Sequence, residues 1–284
     1  MKKAAFYFII LLFSQACIPI IIYQSNVKPL ELGEAELSEY MTIAEEEIFR
    51  LTNEFRVKNG REPLLRHEQL FEVAKQHSED MAQRDFYSHT NPDGIEPQGR
   101  IERSLPNYHN LIAGENIALY LVEQDPKQIA KNLMKGWINS PGHRRNLLYR
   151  DVTHFGAGIA LESGDRRFYA TQKFMSYSAI VNADDWERRN SGDLRSIRFK
   201  INKAKVDPED LVVKVNFPDS QARWYTPSGS YYTGSGYPEP EWLSDTEFVV
   251  TLPVDEYGTG NYGIQLGISG GTTTFSNQLV FHTR

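Results

Sequence analysis

The sequence predicts an α+β domain followed by a smaller all-β, Ig-like sandwich domain, and three observations predict it. Apolar residues recur at helical spacing between residues 38 and 139. Two strand-like runs follow, at 154–162 and 167–177. Beyond residue 180 that helical period gives way to short alternating runs separated by Pro, Gly, Asp and Ser. A chain of 284 residues, 40% of them hydrophobic, is long enough to give each domain its own core.

The first helix is expected within "SEYMTIAEEEIFRLTNEFRVKNG", where Tyr40, Ile43, Ala44, Ile48, Leu51, Phe55 and Val57 recur at mostly three- and four-residue steps and Gly60 follows as a stop. A second helix should run from about His67 to Asp85, with Leu70, Val73, Ala74, His77 and Met81 on one face. The loop "HTNPDG" comes next, with Asp93-Gly94 as its turn. A third helix, Pro126 to Asn139, opens on Asp125 as N-cap with Pro126 at N1, lines up Ile129, Leu133 and Trp137, and is broken by "SPGH". The two strands at 154–162 and 167–177 are joined by a hairpin at Gly164-Asp165. In the second domain the strand runs are "SIRFKINK", "DLVVKVNF", "EFVVTLP", "YGIQLGIS" and "NQLVFHT".

The N-terminus reads Lys2-Lys3 and then about 20 apolar residues. Such a run marks an exported protein and fits three arrangements: a signal peptide cleaved near Ala16, lipid attachment at Cys17, or an uncleaved membrane anchor. Cys17 is the only cysteine, so no intramolecular disulfide forms and both domains rely on core burial. The expected division is therefore 1–23 as leader or anchor, 24–36 as tether, 37–182 as the α+β domain, 183–190 as linker and 191–284 as the sandwich. The formal charge of −6, which becomes −8 without Lys2 and Lys3, argues against binding nucleic acid through its phosphates. The partners expected are an envelope or extracellular protein, glycan or lipid, with membrane association through the N-terminus.

Three polar residues near element ends are candidate site residues: His89 in "HTNPDG", Glu115 in "AGENIA" and His143 in "SPGHRRNLL". They are far apart in sequence, so their spacing establishes no shared site. Arg56 and Asn116 read as structural hydrogen-bonding residues, and His154 as a strand-edge residue. Lys127, Lys131 and Lys135 recur every four residues as a solvated helix face does. Ser88 and Ser140 lie near the histidines, but neither sits in a G-x-S-x-G elbow. Between Arg223 and Trp242, six aromatic residues stand among Gly, Ser and Pro, either covering the end of the sandwich core or presenting rings for sugar or protein contact.

The segments "LTNEFRVKNGREPL", "SHTNPDG", "AGENIA", "GWINSPGHRRNLL" and "THFGAGIA" together resemble the CAP superfamily of cysteine-rich secretory, antigen 5 and pathogenesis-related 1 proteins, especially its bacterial SCP-like members. The resemblance covers about residues 40–178 and leaves the C-terminal part outside it. It implies an α-β-α sandwich with a cleft in which His89, Glu115 and His143 converge as a catalytic or binding triad, His89 and His143 being ligands of a divalent metal, zinc by analogy. It implies a binding module, with a metal-assisted hydrolase of peptide or cell-wall material and a lipid- or sterol-sequestering protein as alternatives. One departure is plain: relatives with a second cleft glutamate carry it on the Trp137 helix, whereas residues 126–150 contain no Asp or Glu, and the lost carboxylate falls near Ser140.

Overall fold

In the computed structural model the described residues are 29–109, 112–121, 123, 125–162, 167–269, 273–275 and 278–284. The expected leader with Cys17, residues 24–28 of the expected tether and the Gly164-Asp165 turn lie outside them, and the last residues of that tether, from Glu34, belong to a helix. Among the described residues no helix is long and apolar enough to cross a membrane.

In chain order the elements are α1 (Glu34–Lys58), β1 (Leu65–Arg66), α2 (Glu68–Arg84), α3 (Pro97–Ser104), β2 (Tyr108–His109), β3 (Ile112–Leu121), α4 (Pro126–Asn139), α5 (Pro141–Leu147), β4 (His154–Leu161) and β5 (Arg167–Ser176). They continue with β6 (Ala179–Val181), α6 (Ala183–Glu187), β7 (Ser196–Ile201), β8 (Leu211–Asn216), β9 (Arg223–Tyr225), β10 (Tyr231–Thr233), β11 (Ser235–Gly236), β12 (Glu241–Trp242), β13 (Glu247–Thr251), α7 (Val254–Tyr257), β14 (Gly260–Ile268), β15 (Thr274–Phe275) and β16 (Leu279–Thr283). Two compact units result. The first holds the described residues up to Ile95 with Gly114–Arg150 and Phe155–Lys173, and the second holds Glu96–Ala113, Asp151–His154 and Phe174–Arg284.

The first unit is built on a sheet in the order β1-β4-β5-β3. Side chains alternate between the faces of a strand, and β5 shows which helix covers which face. Tyr169 clusters with Met81 and Ala82 of α2, and Thr171 bonds Ser78 of α2. The intervening Phe168 stacks on Tyr40 of α1, and Gln172 bonds Thr52 of α1 and Met134 of α4. The sheet therefore lies between α2 on one side and α1 with α4 on the other, the α-β-α arrangement that the resemblance implies. The glycines of "HFGAGIA" let α2 lie directly on β4: a Cβ at Gly158 would stand 2.1 Å from the Lys75 backbone nitrogen.

The helix signals come out as read for α4, where Asp125 accepts from Lys127 N and Pro126 begins the helix. Lys127, Lys131 and Lys135 on it are exposed. Several elements differ from expectation. Pro97 and Pro141 each occupy the first turn of a short helix, α3 and α5, so the "SPGH" break is also the start of a new helix. "AGENIA" lies within β3. Residues 183–190, expected as a linker, contain α6, capped by Asn182 and tied to β7 through Asp185 and Arg198.

In the second unit two sheets, β12-β13-β7-β6-β2 and β11-β8-β14-β15 with β16 on β14, enclose one core of Ile197, Phe199, Phe248 and Val250 against Val213, Val215, Ile264 and Phe281. The antiparallel pairing of β7, β8, β13, β14 and β16 matches the five strand runs expected. Of the six aromatics between 223 and 242, Trp224 and Trp242 pack on this core, whereas Tyr225, Tyr231 and Tyr232 are exposed.

Glu45 gives this fold a pH dependence. Its carboxylate accepts from Ile159 N, and burial raises its pKa from 4.5 to about 7. An acid whose pKa is higher in the folded state adds stability that is complete below pH 4.5 and is lost as pH rises through 7. At about 1.4 kcal/mol per pKa unit, the chain should lose up to about 3 kcal/mol between pH 4.5 and 8. Glu45→Gln keeps an acceptor for Ile159 N and removes that loss, so thermal melts should show the variant above the wild type at pH 8 and not at pH 4.

Candidate functional site

Glu115 is the centre of the polar cluster. It stands on β3 on the α2 face, since the next residue but one, Ile117, clusters with Met81 of α2 while the intervening Asn116 bonds Gln172 on the α1 and α4 face. Lys173, two residues after Thr171 on the neighbouring strand β5, projects to the same face. Its Nζ lies 2.5 Å from Glu115 Oε2, with the lysine side chain 0% and the glutamate side chain 1% exposed. A buried charge is stable only with a partner, and as an ion pair each of these groups has one; a carboxylate holding an ammonium can only accept.

His89 meets the other carboxylate oxygen, with Nδ1 2.7 Å from Glu115 Oε1. Nδ1 therefore carries the proton and donates, which in the neutral ring places the lone pair on Nε2. The His89 side chain is 31% exposed, so the imidazole joins the buried pair to the surface. Its loop is fastened to α2. Asn91 Oδ1 accepts from the backbone nitrogens of Asp93 and Ile95, Asn91 Nδ2 bonds Asp80, and Arg84 pairs with Asp93. Gly94, at φ 76°, makes the turn expected at Asp93-Gly94. A further hold comes from His77 on α2, buried, whose Nε2 lies 3.2 Å from the Ser88 carbonyl and 3.8 Å from Glu115 Oε1. A carbonyl only accepts, so His77 Nε2 carries its proton and donates.

His143 lies in the first turn of α5. Its backbone carbonyl accepts from Asn116 Nδ2, the residue after Glu115. Asn146 of the same helix donates to Glu115 O and Asn116 Oδ1. The far end of α5 is held by Arg56, whose guanidinium donates to the carbonyls of Glu62, Leu147 and Tyr149. Arg56 and Asn116 thus have the structural hydrogen bonds read from the sequence. His154 belongs to the second unit, where its Nδ1 bonds Thr153 Oγ1 and its ring tilts over Tyr177.

The residues can be tested against a divalent metal on their own chemistry. A catalytic zinc takes three protein ligands and a structural one four. Among the described residues no three His, Cys, Asp or Glu side chains form such a group. Glu115 has one oxygen on an ammonium and the other on an imidazole N–H. This donor set does not fit a firmly held dication. What the arrangement does provide is a partly exposed imidazole fixed in one orientation by a buried ion pair. Sequence reading missed Lys173 and His77. The signal for Lys173 was "TQK", three polar residues inside an apolar strand.

Residues 49–174 match the profile of the "Cysteine-rich secretory protein family". The chain is 34% identical over 156 residues, 55% of its length and 41% of the other's, to "Uncharacterized membrane protein YlbC" of Bacillus subtilis. It is 35% identical over 120 residues, 42% of its length and 43% of the other's, to "Uncharacterized protein YkwD" of the same organism. It spans less than half the length of either relative. Among solved structures, an extracellular protein containing a SCP domain from Bacillus anthracis is 31% identical, with a TM-score of 0.43, over 51% of this chain and 44% of that one. An outer surface protein of Borrelia burgdorferi is 18% identical, with a TM-score of 0.41, over 53% of this chain and 99% of that one. The match to the cysteine-rich secretory protein (CAP) family thus falls on residues 49–174, the stretch that holds the α-β-α sandwich.

Proposed function

We propose that the chain is an exported, envelope-associated binding module in which His89 is the ligand-contacting group of the cleft. The observation that carries this reading is the gradient of exposure along one hydrogen-bonded line, from Lys173 at 0% through Glu115 at 1% to His89 at 31%. Two buried charges are committed to orienting a single imidazole that solvent can reach. Location at the envelope is supported by the charged and apolar N-terminal run, and by relatives named as a membrane protein and as an extracellular protein.

The same His89–Glu115 dyad favours a second reading, hydrolysis of peptide or cell-wall material with the imidazole as base. One experiment separates the two. The purified chain is sedimented with isolated cell envelopes and, in parallel, incubated with purified peptidoglycan and with casein. A binding module is expected to cosediment and to lose about tenfold in affinity on His89→Ala, roughly the 1.4 kcal/mol of one good hydrogen bond, with an unchanged melting temperature and no fragments released. Equal retention of wild type and His89→Ala would overturn the reading, and fragments released by the wild type alone would establish the hydrolase.

A further inference from the structure

We propose that Lys173 is the resident cation of the cleft, holding on Glu115 the compensating charge that a metal ion would otherwise supply, so that the cleft works metal-free and takes a neutral or anionic hydrogen-bonding ligand. The proposal rests on the reading of the cleft as a binding site, and adds to it the class of ligand.

The argument starts from where the ammonium is. β5 is an interior strand, flanked by β4 and β3, and on it Thr171, Gln172 and Lys173 are all fully buried. A lysine there has no route to water, and Glu115 on the adjoining strand meets its ammonium at 2.5 Å. The carboxylate cannot turn toward a second cation without abandoning this one. Its remaining oxygen accepts the Nδ1 proton of His89, which fixes the ring. Lysine and glutamate sum to zero charge, so nothing in the pair attracts a dication to the His89 side. A dication there would also face the Lys173 ammonium across one carboxylate, in surroundings where charges are poorly screened. An acceptor or an anion on the ligand meets no such opposition. The absence of an acidic residue anywhere in 126–150 points the same way, since the α4 and α5 segment supplies no second carboxylate to restore negative charge.

The test uses the full purified chain. After dialysis against micromolar zinc, its metal content should stay far below one per chain, and its melting temperature should be the same in zinc as in EDTA. Stoichiometric zinc in the wild type, or a melting temperature that EDTA lowers, would overturn the proposal. Lys173→Met leaves Glu115 without its partner and should bind zinc at least about tenfold more tightly than the wild type, the gain from neutralising a stranded buried charge; equal affinities would count against the proposal. The paired change Lys173→Gln with Glu115→Gln replaces ions by a neutral hydrogen-bonding pair and tests the idea even where Lys173→Met does not fold. It should stay folded and zinc-free, and zinc uptake by it would sink the role assigned to charge. Envelope cosedimentation in EDTA distinguishes this proposal from the reading beneath it. Binding that persists in chelator supports both. Binding that is lost in EDTA and restored by zinc overturns the metal-free cleft alone, and binding indifferent to His89→Ala overturns the binding site itself.

Discussion

Arg56→Ala is expected to destabilise the first unit by about 2–5 kcal/mol, because one buried and two partly buried carbonyls lose a charged donor, at about 1–3 kcal/mol for the buried one and less for the two nearer water. Arg56 is 1% exposed, and its contacts join three segments: Glu62 after α1, Leu147 at the end of α5, and Tyr149 beyond it. The last carbonyls of a helix have no partner within it, and here a guanidinium from α1 provides one, aided by Arg61 on the Leu148 carbonyl. Burial lowers the Arg56 pKa to about 10, which leaves it charged at neutral pH. Arg56→Lys is the informative companion. One ammonium cannot reach all three carbonyls in the geometry of the guanidinium fork, so it should recover only part of the loss. Chemical denaturation followed by tryptophan fluorescence would report both, since Trp137 of α4 is buried in this unit. A loss below about 1 kcal/mol for Arg56→Ala would mean that water satisfies these carbonyls and that the residue is not a clamp.

How far this site could be read from the chain depends on which forces a linear pattern records. Asp125 and Pro126 announced α4 because capping is local and acts within four residues. Leu70, Val73, Ala74, His77 and Met81 were legible as one face of α2, and all are buried. Ser140 and Pro141 read as a stop, although the same pair is also an N-cap position followed by N1; α5 begins there, and Asn146 on Glu115 O holds it. Glu115 was marked as a site residue, but its partner could not be. Lys173 is 58 residues away, and the two meet only because β3 and β5 are neighbours in a sheet whose strand order is not sequential. His77 was absorbed into an apolar face, its bond to Ser88 O invisible until the chain doubled back. Helical period and caps are written locally, whereas the pairing of charges across strands is a property of topology.

Gly158 carries the clearest consequence of that topology, because two identical substitutions should act with opposite sign. Gly158→Ala would put a methyl carbon 2.1 Å from Lys75 N and 2.4 Å from Ala74 C, both backbone atoms of α2. Backbone of a helix packed along its length cannot yield locally, so α2 would have to lift from β4 as a whole. Gly156, whose Cβ would meet Leu70 C at 2.2 Å, presses on the same helix one turn earlier. Lifting α2 also withdraws Ser78 from the Gly158 carbonyl and from Thr171, and His77 from Ser88 O, so the support of His89 goes with the packing. The expected result is a loss of at least about 4 kcal/mol, in the range reserved for overpacking and broken buried networks together, seen as loss of the near-UV circular dichroism of this unit or of soluble protein altogether. Gly136→Ala is the matched control. Gly136 is inside α4, with nothing within 4 Å of the added carbon, so the gain in helix propensity should stabilise by roughly 0.5–1 kcal/mol. If both variants moved in the same direction, the close approach of α2 to β4 would not be what fixes the glycine, and the account of how the site is supported would fail with it.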